Sequence, residues 1–252
     1  MMPALPAAFL KRPIAHRALH DGNIKRAENN MAAIEAAIEN DYGIEIDVQL
    51  SKDGDAMVFH DYSLDRLTKS TGPIAQMGTD ALGKLQFKTG EVGVPTLRDV
   101  LAKIAGKVPL LIEIKDQDGA MGPNVGALEA AVAAALNGYD GPVALMSFNP
   151  HSVAALADLC PSVPRGLTTA NWEGSDEQLI PKARREELKA IADYDRVGAC
   201  FISHQWDDLG APRVAELKTN GAHILCWTIR TPEAEAKARE VAENITFEGY
   251  HA

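Results

Sequence analysis

The chain has 252 residues, 46% of them hydrophobic, enough for one large core or two modest domains. Its 25 Lys and Arg against 35 Asp and Glu leave a formal charge of −10 with no basic block of five or more residues. That balance weighs against a nucleic-acid partner and, more weakly, against an anionic membrane surface. Three cysteines, Cys160, Cys200 and Cys226, form no CxxC pair and no zinc spacing, and their odd number argues against a disulfide framework. Cys200 and Cys226 lie in the apolar runs GACFIS and AHILCWTI and read as buried strand cysteines. The opening MMPALPAAFLKRPIAHR has a short apolar part and no charged leader, so it reads neither as an export signal nor as a membrane span. No transmembrane segment is expected, and the cytoplasm is the default location.

Apolar runs and helix-like runs alternate along the chain. Strands are expected at 13–17, 43–50, 108–115, 143–148, 163–168, 199–204, 222–228 and 244–248. Helices are expected between nearly all of them, at 29–39, 96–104, 124–137, 150–159, 177–191, 211–219 and 232–241. Thr231-Pro232 and Asn149-Pro150 mark helix starts, and Gly138 and Gly221 fall where helices should stop. One segment, 61–93, breaks the rhythm. It holds no long periodic helix and reads as an insertion flanked by a short strand at 56–60. Surface decoration is the plain alternative for it.

Eight strands with helical crossovers predict an α/β fold, a (β/α)8 TIM barrel with a small insertion after strand 2. Residues 1–252 would form a single barrel domain, with 61–93 as an inserted subdomain. A doubly wound open sheet competes, but no Gly-rich phosphate loop follows the first strand: GxGxxG is absent, as are GxxxxGKS and GxxxxGKT.

Within GIEIDVQLSKDGDAMVFHD, Glu45 and Asp47 share one strand face, and Glu113 and Lys115 do the same in LLIEIK. Carboxylates inside apolar runs are costly unless something satisfies them. Glu45, Asp47 and Glu113 would supply hard oxygen ligands to one divalent cation, Mg²⁺ or Ca²⁺. Buried ion pairs without metal are the alternative. His16 ends the first strand and His60 ends AMVFH; each reads alone as a structural histidine, but together they offer an acid–base pair. Arg17 suits bidentate contact with phosphate oxygens, and Lys115 suits point-charge neutralisation. The set reads as phosphodiester cleavage, with a metal on the non-bridging oxygens and a histidine for each proton transfer.

Taken in order, HR at 16–17, AENN at 27–30, IEIDVQLSKDGDAMVFHDYSLDRLTKSTG at 44–72, VPTLRDVL at 94–101, LLIEIK at 110–115, SFNP at 147–150 and CWTI at 226–229 resemble the glycerophosphodiester phosphodiesterase family. The resemblance is densest from 44 to 72 and weakest from 170 to 196 and over the last ten residues. It implies a (β/α)8 barrel with a small module after the second strand. It also implies cleavage of glycerophosphodiesters to glycerol 3-phosphate and an alcohol. His16 and His60 would be the general acid–base pair, and Glu45, Asp47 and Glu113 would bind the cation. Arg17 and Lys115 would hold the phosphate, and Trp227 would line the pocket beside the glycerol.

The chain departs from the family pattern in three places. Ala18 replaces a glycine after His-Arg, which either narrows the floor under the phosphate or needs a small backbone adjustment. Ala27 replaces a proline, at an expected cost in loop stiffness. Phe247 stands where Asp is usual, and a one-residue shift flips a strand side chain, so Glu248 is no automatic substitute. Ser147, Asn149 and the run His204-Gln205-Trp206 read chiefly as capping or packing residues. His20, His151 and His223 have only loop or cap readings.

The nearest alternative is a phospholipase-type phosphodiesterase acting on an intact lipid, which would favour an apolar rim around the mouth. Apolar residues of the insertion (Tyr62, Leu64, Leu67, Leu82, Leu85, Phe87) would serve such a rim or form a small core of their own. A catalytically silent phosphoester-binding barrel is the other. The alcohol head group, Mg²⁺ against Ca²⁺ and the oligomeric state stay open.

Overall fold

Alternation of side chains along the strands separates two cores and one polar chamber. The computed structural model describes residues 3–174 and 176–252. Strand β1 (Ile14–Ala15) pairs in parallel with β2 (Gly43–Leu50), and β2 with β4 (Leu110–Ile114). The ladder runs on through β5 (Val143–Ser147), β6 (Arg165–Thr169), β7 (Phe201–Gln205), β8 (His223–Ile229) and β9 (Asn244–Phe247). Strand β9 returns to β1, so eight parallel strands close a barrel and the open-sheet alternative falls. Strand β3 (Ala56–Val58) folds back antiparallel on β2.

Among the described residues, seven helices cross between successive barrel strands: α1 (Met31–Glu39), α3 (Leu97–Ile104), α4 (Ala127–Leu136), α5 (Pro150–Leu159), α6 (Lys182–Lys189), α7 (Pro212–Thr219) and α8 (Pro232–Ala238). The four-residue α2 (Thr79–Leu82) lies in the segment after β3. Caps fix several starts. Asn30 Oδ1 accepts from Ala32 N, Thr96 and Asp99 form a reciprocal capping box, and Asn149 Oδ1 accepts from His151 N.

Differences from the expected boundaries have local causes. The helix expected at 177–191 splits into a 3-10 turn, Asp176–Leu179, and α6, because Pro181 has no N–H for a continuous helix. Helix α4 starts at Ala127 rather than 124, after Gly126 at φ 129°. Strand β1 ends at Ala15 because Arg17 and Ala18 turn left-handed, at φ 52° and 63°. Cys226 is buried in β8 as expected, whereas Cys200 precedes β7 and is only half-buried.

Outward-facing Ile44, Ile46, Val48, Leu110, Ile112 and Ile114 pack against the helices in the larger core. Inside the barrel, Ile14, Leu111, Ala144, Phe201 and Leu225 meet Leu5 and Phe9 of the N-terminal segment. Asn244 Nδ2 donates to the carbonyls of Phe9 and Arg12, at 2.6 Å each, and holds that plug in place. Gly166 makes room for the Phe201 ring: a Cβ there would lie 2.5 Å from it. The apolar plug fills the N-terminal end and leaves the polar inward residues to the other.

Candidate active site

At the C-terminal mouth, the inward positions of β2 and β4 carry the acidic residues. Strand register sets Asp47 directly beside Glu113, with Glu45 one inward step below Asp47. One carboxylate oxygen from each of the three lies within 4.8 Å of the others, and all three residues are buried. Burial and the charges of Asp47 and Glu113 push the Glu45 pKa well above the carboxylate range. Burial also penalises Asp47, but Lys115, His60 and Arg17 outweigh it and hold Asp47 ionised. Lys115 Nζ lies 2.7 Å from Asp47 and 2.5 Å from Glu113, and these two raise its pKa against the effect of burial. A buried donor set made only of carboxylate oxygens fits a hard divalent cation.

The left-handed turn after β1 aims Arg17 back at this cluster. Arg17 N donates to Glu45 Oε2 at 2.8 Å, and its guanidinium contacts Glu28 Oε1 at 2.8 Å and Asp47 Oδ2 at 3.5 Å. Asn29 grips Asp47 twice, Nδ2 donating to Oδ2 at 2.8 Å and Oδ1 accepting from Asp47 N at 3.1 Å. Ala18, at φ 63°, occupies the backbone region that favours glycine, but its methyl is buried in the outer core and does not line the chamber. Ala27 keeps an N–H that proline would lack and donates it to Glu91 of the insertion at 3.1 Å, so the loop is tied rather than loosened.

Each histidine of the predicted pair bonds a carboxylate through Nδ1. His16 Nδ1 lies 2.6 Å from Glu248 Oε2, and His60 Nδ1 lies 2.7 Å from Asp61 Oδ1. Both carboxylates are held ionised by these contacts against the penalty of burial, so they accept and Nδ1 carries the proton. Nε2 is then the free ring nitrogen on each side. Burial lowers the His16 pKa more than Glu248 and its neighbours raise it. An arginine backs each carboxylate: Arg230 Nε donates to Glu248 Oε1 at 2.8 Å, and Arg66 Nε donates to Asp61 Oδ2 at 2.6 Å.

His16, Arg17, Glu45, Asp47, His60, Glu113, Lys115 and Trp227, the eight predicted site residues, line one cavity of about 160 Å³ with Met146, Phe148, Thr228, Arg230 and Thr246. Trp227 is pinned by Nε1 donating to Ser203 O at 2.9 Å and by an edge contact with Phe148 at 5.5 Å. Ser147 and Asn149 are capping and loop-holding residues outside the cavity: Ser147 Oγ donates to Ile114 O, and Asn149 Nδ2 donates to Asp116 Oδ1. His204 is enclosed between Thr169 and Asp208. Residue-by-residue reading gave no part in the site to Arg66, Arg230 and Thr246, weighed Glu248 only as an uncertain substitute for the usual Asp, and left His20 in a loop. Glu248 was legible, because a two-residue period puts it on the face of Thr246, which lines the cavity. His20, expected to be only a loop residue, sits with Nε2 3.6 Å from Glu248.

Leu64, Leu67, Ile74, Leu82 and Phe87 of residues 61–93 pack in one core with Ala27, Met57, Phe59 and Val94 from outside that segment, and Leu85 lies against them. Tyr62 stands outside that core, 56% exposed, and its hydroxyl donates to Asp116 O at 2.7 Å. Among the described residues no helix is long and apolar enough to cross a membrane.

Comparison with known proteins agrees with this geometry. Residues 16–244 match the glycerophosphoryl diester phosphodiesterase family. A glycerophosphodiester phosphodiesterase of Caldanaerobacter subterraneus is 33% identical over 165 residues, covering 61% of this chain and 65% of its own length. YhdW of Bacillus subtilis, provisionally named as a glycerophosphodiester phosphodiesterase, is 29% identical over 220 residues, covering 83% of this chain and 84% of its own length. In fold, the chain resembles an Oleispira antarctica phosphodiesterase solved in complex with the product sn-glycerol-3-phosphate. The TM-score is 0.76 at 24% identity, with 96% of this chain and 94% of that one covered. The family match runs from the His16 end of β1 into β9, and the chain belongs to the glycerophosphoryl diester phosphodiesterase family of hydrolases.

Proposed function

We propose that the protein hydrolyses glycerophosphodiesters to glycerol 3-phosphate and an alcohol, with His16 and His60 as the general acid–base pair. The observation that carries this reading is the convergence of two carboxylate-backed histidines, three acidic residues and two cations on one cavity. Glu45, Asp47 and Glu113 would hold one Mg²⁺ or Ca²⁺, which when bound supplies positive charge to the non-bridging phosphate oxygens. Arg17 and Lys115 bind the phosphate from the β1 and β4 sides. Trp227 and Phe148 form an apolar wall against which the glycerol carbons pack. One histidine, neutral at Nε2, takes a proton from the attacking vicinal hydroxyl of the glycerol, while the other enters as the imidazolium and gives its Nε2 proton to the departing alcohol; water then opens the resulting cyclic phosphate to glycerol 3-phosphate with the two proton-transfer roles reversed. Residues 61–93 act as an inserted module of this single barrel domain.

A diester free in solution is favoured over an intact lipid. Ile24, Tyr62, Val92, Leu159 and Leu179 are the exposed large apolar residues among those described, and none lines the cavity. The test is release of glycerol 3-phosphate from a panel of glycerophosphodiesters, with choline, ethanolamine, glycerol and inositol head groups, with and without chelator. Metal-dependent release from at least one is expected; none from any would remove the reading.

A further inference from the structure

We propose that Arg66, carried by the insertion, is a positioning residue that sets His60 and Arg17 at once, making the insertion a working part of the site. The inference rests on the hydrolase reading above for its kinetic arm. Arg66 does not line the cavity, so whatever it does there it does through other residues. Its guanidinium forks between two carboxylates. Nε and Nη2 donate to Asp61 at 2.6 and 2.9 Å, while Nη1 and Nη2 donate to Glu28 at 2.9 and 2.6 Å. Asp61 is the acceptor for His60 Nδ1, and Glu28 is the acceptor for Arg17 Nη1. One planar cation therefore stands behind a predicted proton-transfer group and a predicted phosphate ligand.

The backbone that carries Arg66 belongs to the module. Leu64 and Leu67 on either side are 0% and 5% exposed in the shared core, and Lys88 Nζ donates to the adjacent Asp65 carbonyl at 2.6 Å. A second tie, Ala27 N to Glu91, holds the loop that bears Glu28 against the same module. Against the penalty of burial, Arg66 and Arg17 hold Glu28 ionised, and the His60 bond together with Arg66 holds Asp61 ionised. Without the guanidinium these anions would face one another with only Arg17, Asn23 and the His60 ring for partners. Lysine does not reproduce the fork, because a point-charge ammonium lacks the planar donors that engage both carboxylates through four bonds. His16 owes nothing to the module: Glu248 and Arg230, which hold it, both come from the barrel.

The test uses the full chain with Arg66→Ala, Arg66→Lys, Asp61→Asn, Glu28→Gln and the Arg66→Ala/Asp61→Asn pair, and reads kcat and KM separately. Asp61→Asn should lower kcat about 10–100-fold with KM nearly unchanged. Glu28→Gln should chiefly raise KM, roughly tenfold. Arg66→Ala should do both, and adding Asp61→Asn should cost little further kcat, since both act through one ring. Arg66→Lys should recover only part of the loss. An Arg66→Ala enzyme within twofold of wild type in both constants, or a pair whose losses simply multiply, would overturn the proposal. Independently of turnover, the Nδ1–H proton resonance of His60 should broaden or shift in Arg66→Ala, and an unchanged resonance would overturn it too. Should Arg66→Ala not fold, Arg66→Lys carries the same readouts. A wild type with no turnover would remove the hydrolase reading, while the resonance still decides the clamp.

Discussion

Replacing Glu28 with glutamine tests how strongly the site holds its own charges. Glu28 is 3% exposed and accepts from Arg17, from both terminal nitrogens of Arg66 and from Asn23. Burial alone would raise its pKa, but the Arg66 bonds and the Arg17 charge bring it from 4.5 down to about 2. A depressed folded-state pKa stabilises the fold fully above the unfolded value and is lost as pH falls toward the folded one. At about 1.36 kcal/mol per unit, the shift contributes about 3 kcal/mol at pH 7, falling to about 1 kcal/mol near pH 3. Glu28→Gln keeps the shape and removes the charge, so it should lose about 3 kcal/mol at neutral pH. Urea unfolding followed by circular dichroism, repeated from pH 7 down to pH 3, measures the gap between variant and wild type. The gap should stay level down to about pH 4.5 and then narrow. A gap that is independent of pH, that widens on acidification, or that is negligible at pH 7 would refute the reasoning.

Glu248→Gln removes the anionic acceptor of His16 Nδ1 and the partner of Arg230 while leaving the barrel cores intact, so kcat should fall about 10–100-fold with a small change in melting temperature. Equal turnover in variant and wild type would dismiss Glu248 as a positioning group. His60→Ala should abolish turnover while folding and metal affinity stay largely intact, since the 29% exposed ring contributes little packing; an unfolded variant would make His60 structural. Added Mg²⁺ or Ca²⁺ should raise the melting temperature by mass action, by about 2.7 kcal/mol of stability at 100 times the dissociation constant. That rise should vanish in Glu113→Gln, and its survival there would separate the stabilising ion from the acidic trio.

Much of the site was legible because it lies on strands, where a period of two decides which side chains converge. Glu45, Asp47 and Glu113 sit in apolar runs whose other members face the helices, so burial of both faces and convergence of the carboxylates follow together. The closed barrel was legible from the alternation of strand and helix signals. Less legible were the contributions of loops. Nothing in the order of residues says that Asp61 and Glu28 share one guanidinium, since 33 positions and a strand pair separate them. Glu248 was harder to place for another reason. Comparing it with an absent Asp at 247 drew attention to the register shift, whereas Phe247 packs outward on Tyr42 and Tyr250 and Glu248 takes the inward side. Helix ends missed by a few residues where Pro181 or Gly126 overrode the apolar period.

The antiparallel hairpin of β2 and β3 explains how His60, just past β3, is placed as firmly as His16, just past barrel strand β1. A residue in a loop is ordinarily less fixed than one in a strand. His60 escapes this because Phe59 N donates to Asp47 O at 3.0 Å and Gln49 Nε2 donates to His60 O at 3.0 Å. Its backbone thus hangs from the strand that carries Asp47. His16 is placed in the same way, its N–H donating to Phe247 O at 2.9 Å. Backbone bonds fix where each ring is, not how it is turned. Turning is left to Nδ1 and to a carboxylate, Asp61 in one case and Glu248 in the other. Loss of either carboxylate should therefore misorient a histidine that stays in place, and loss of the hairpin register should move His60 bodily away from the acidic residues.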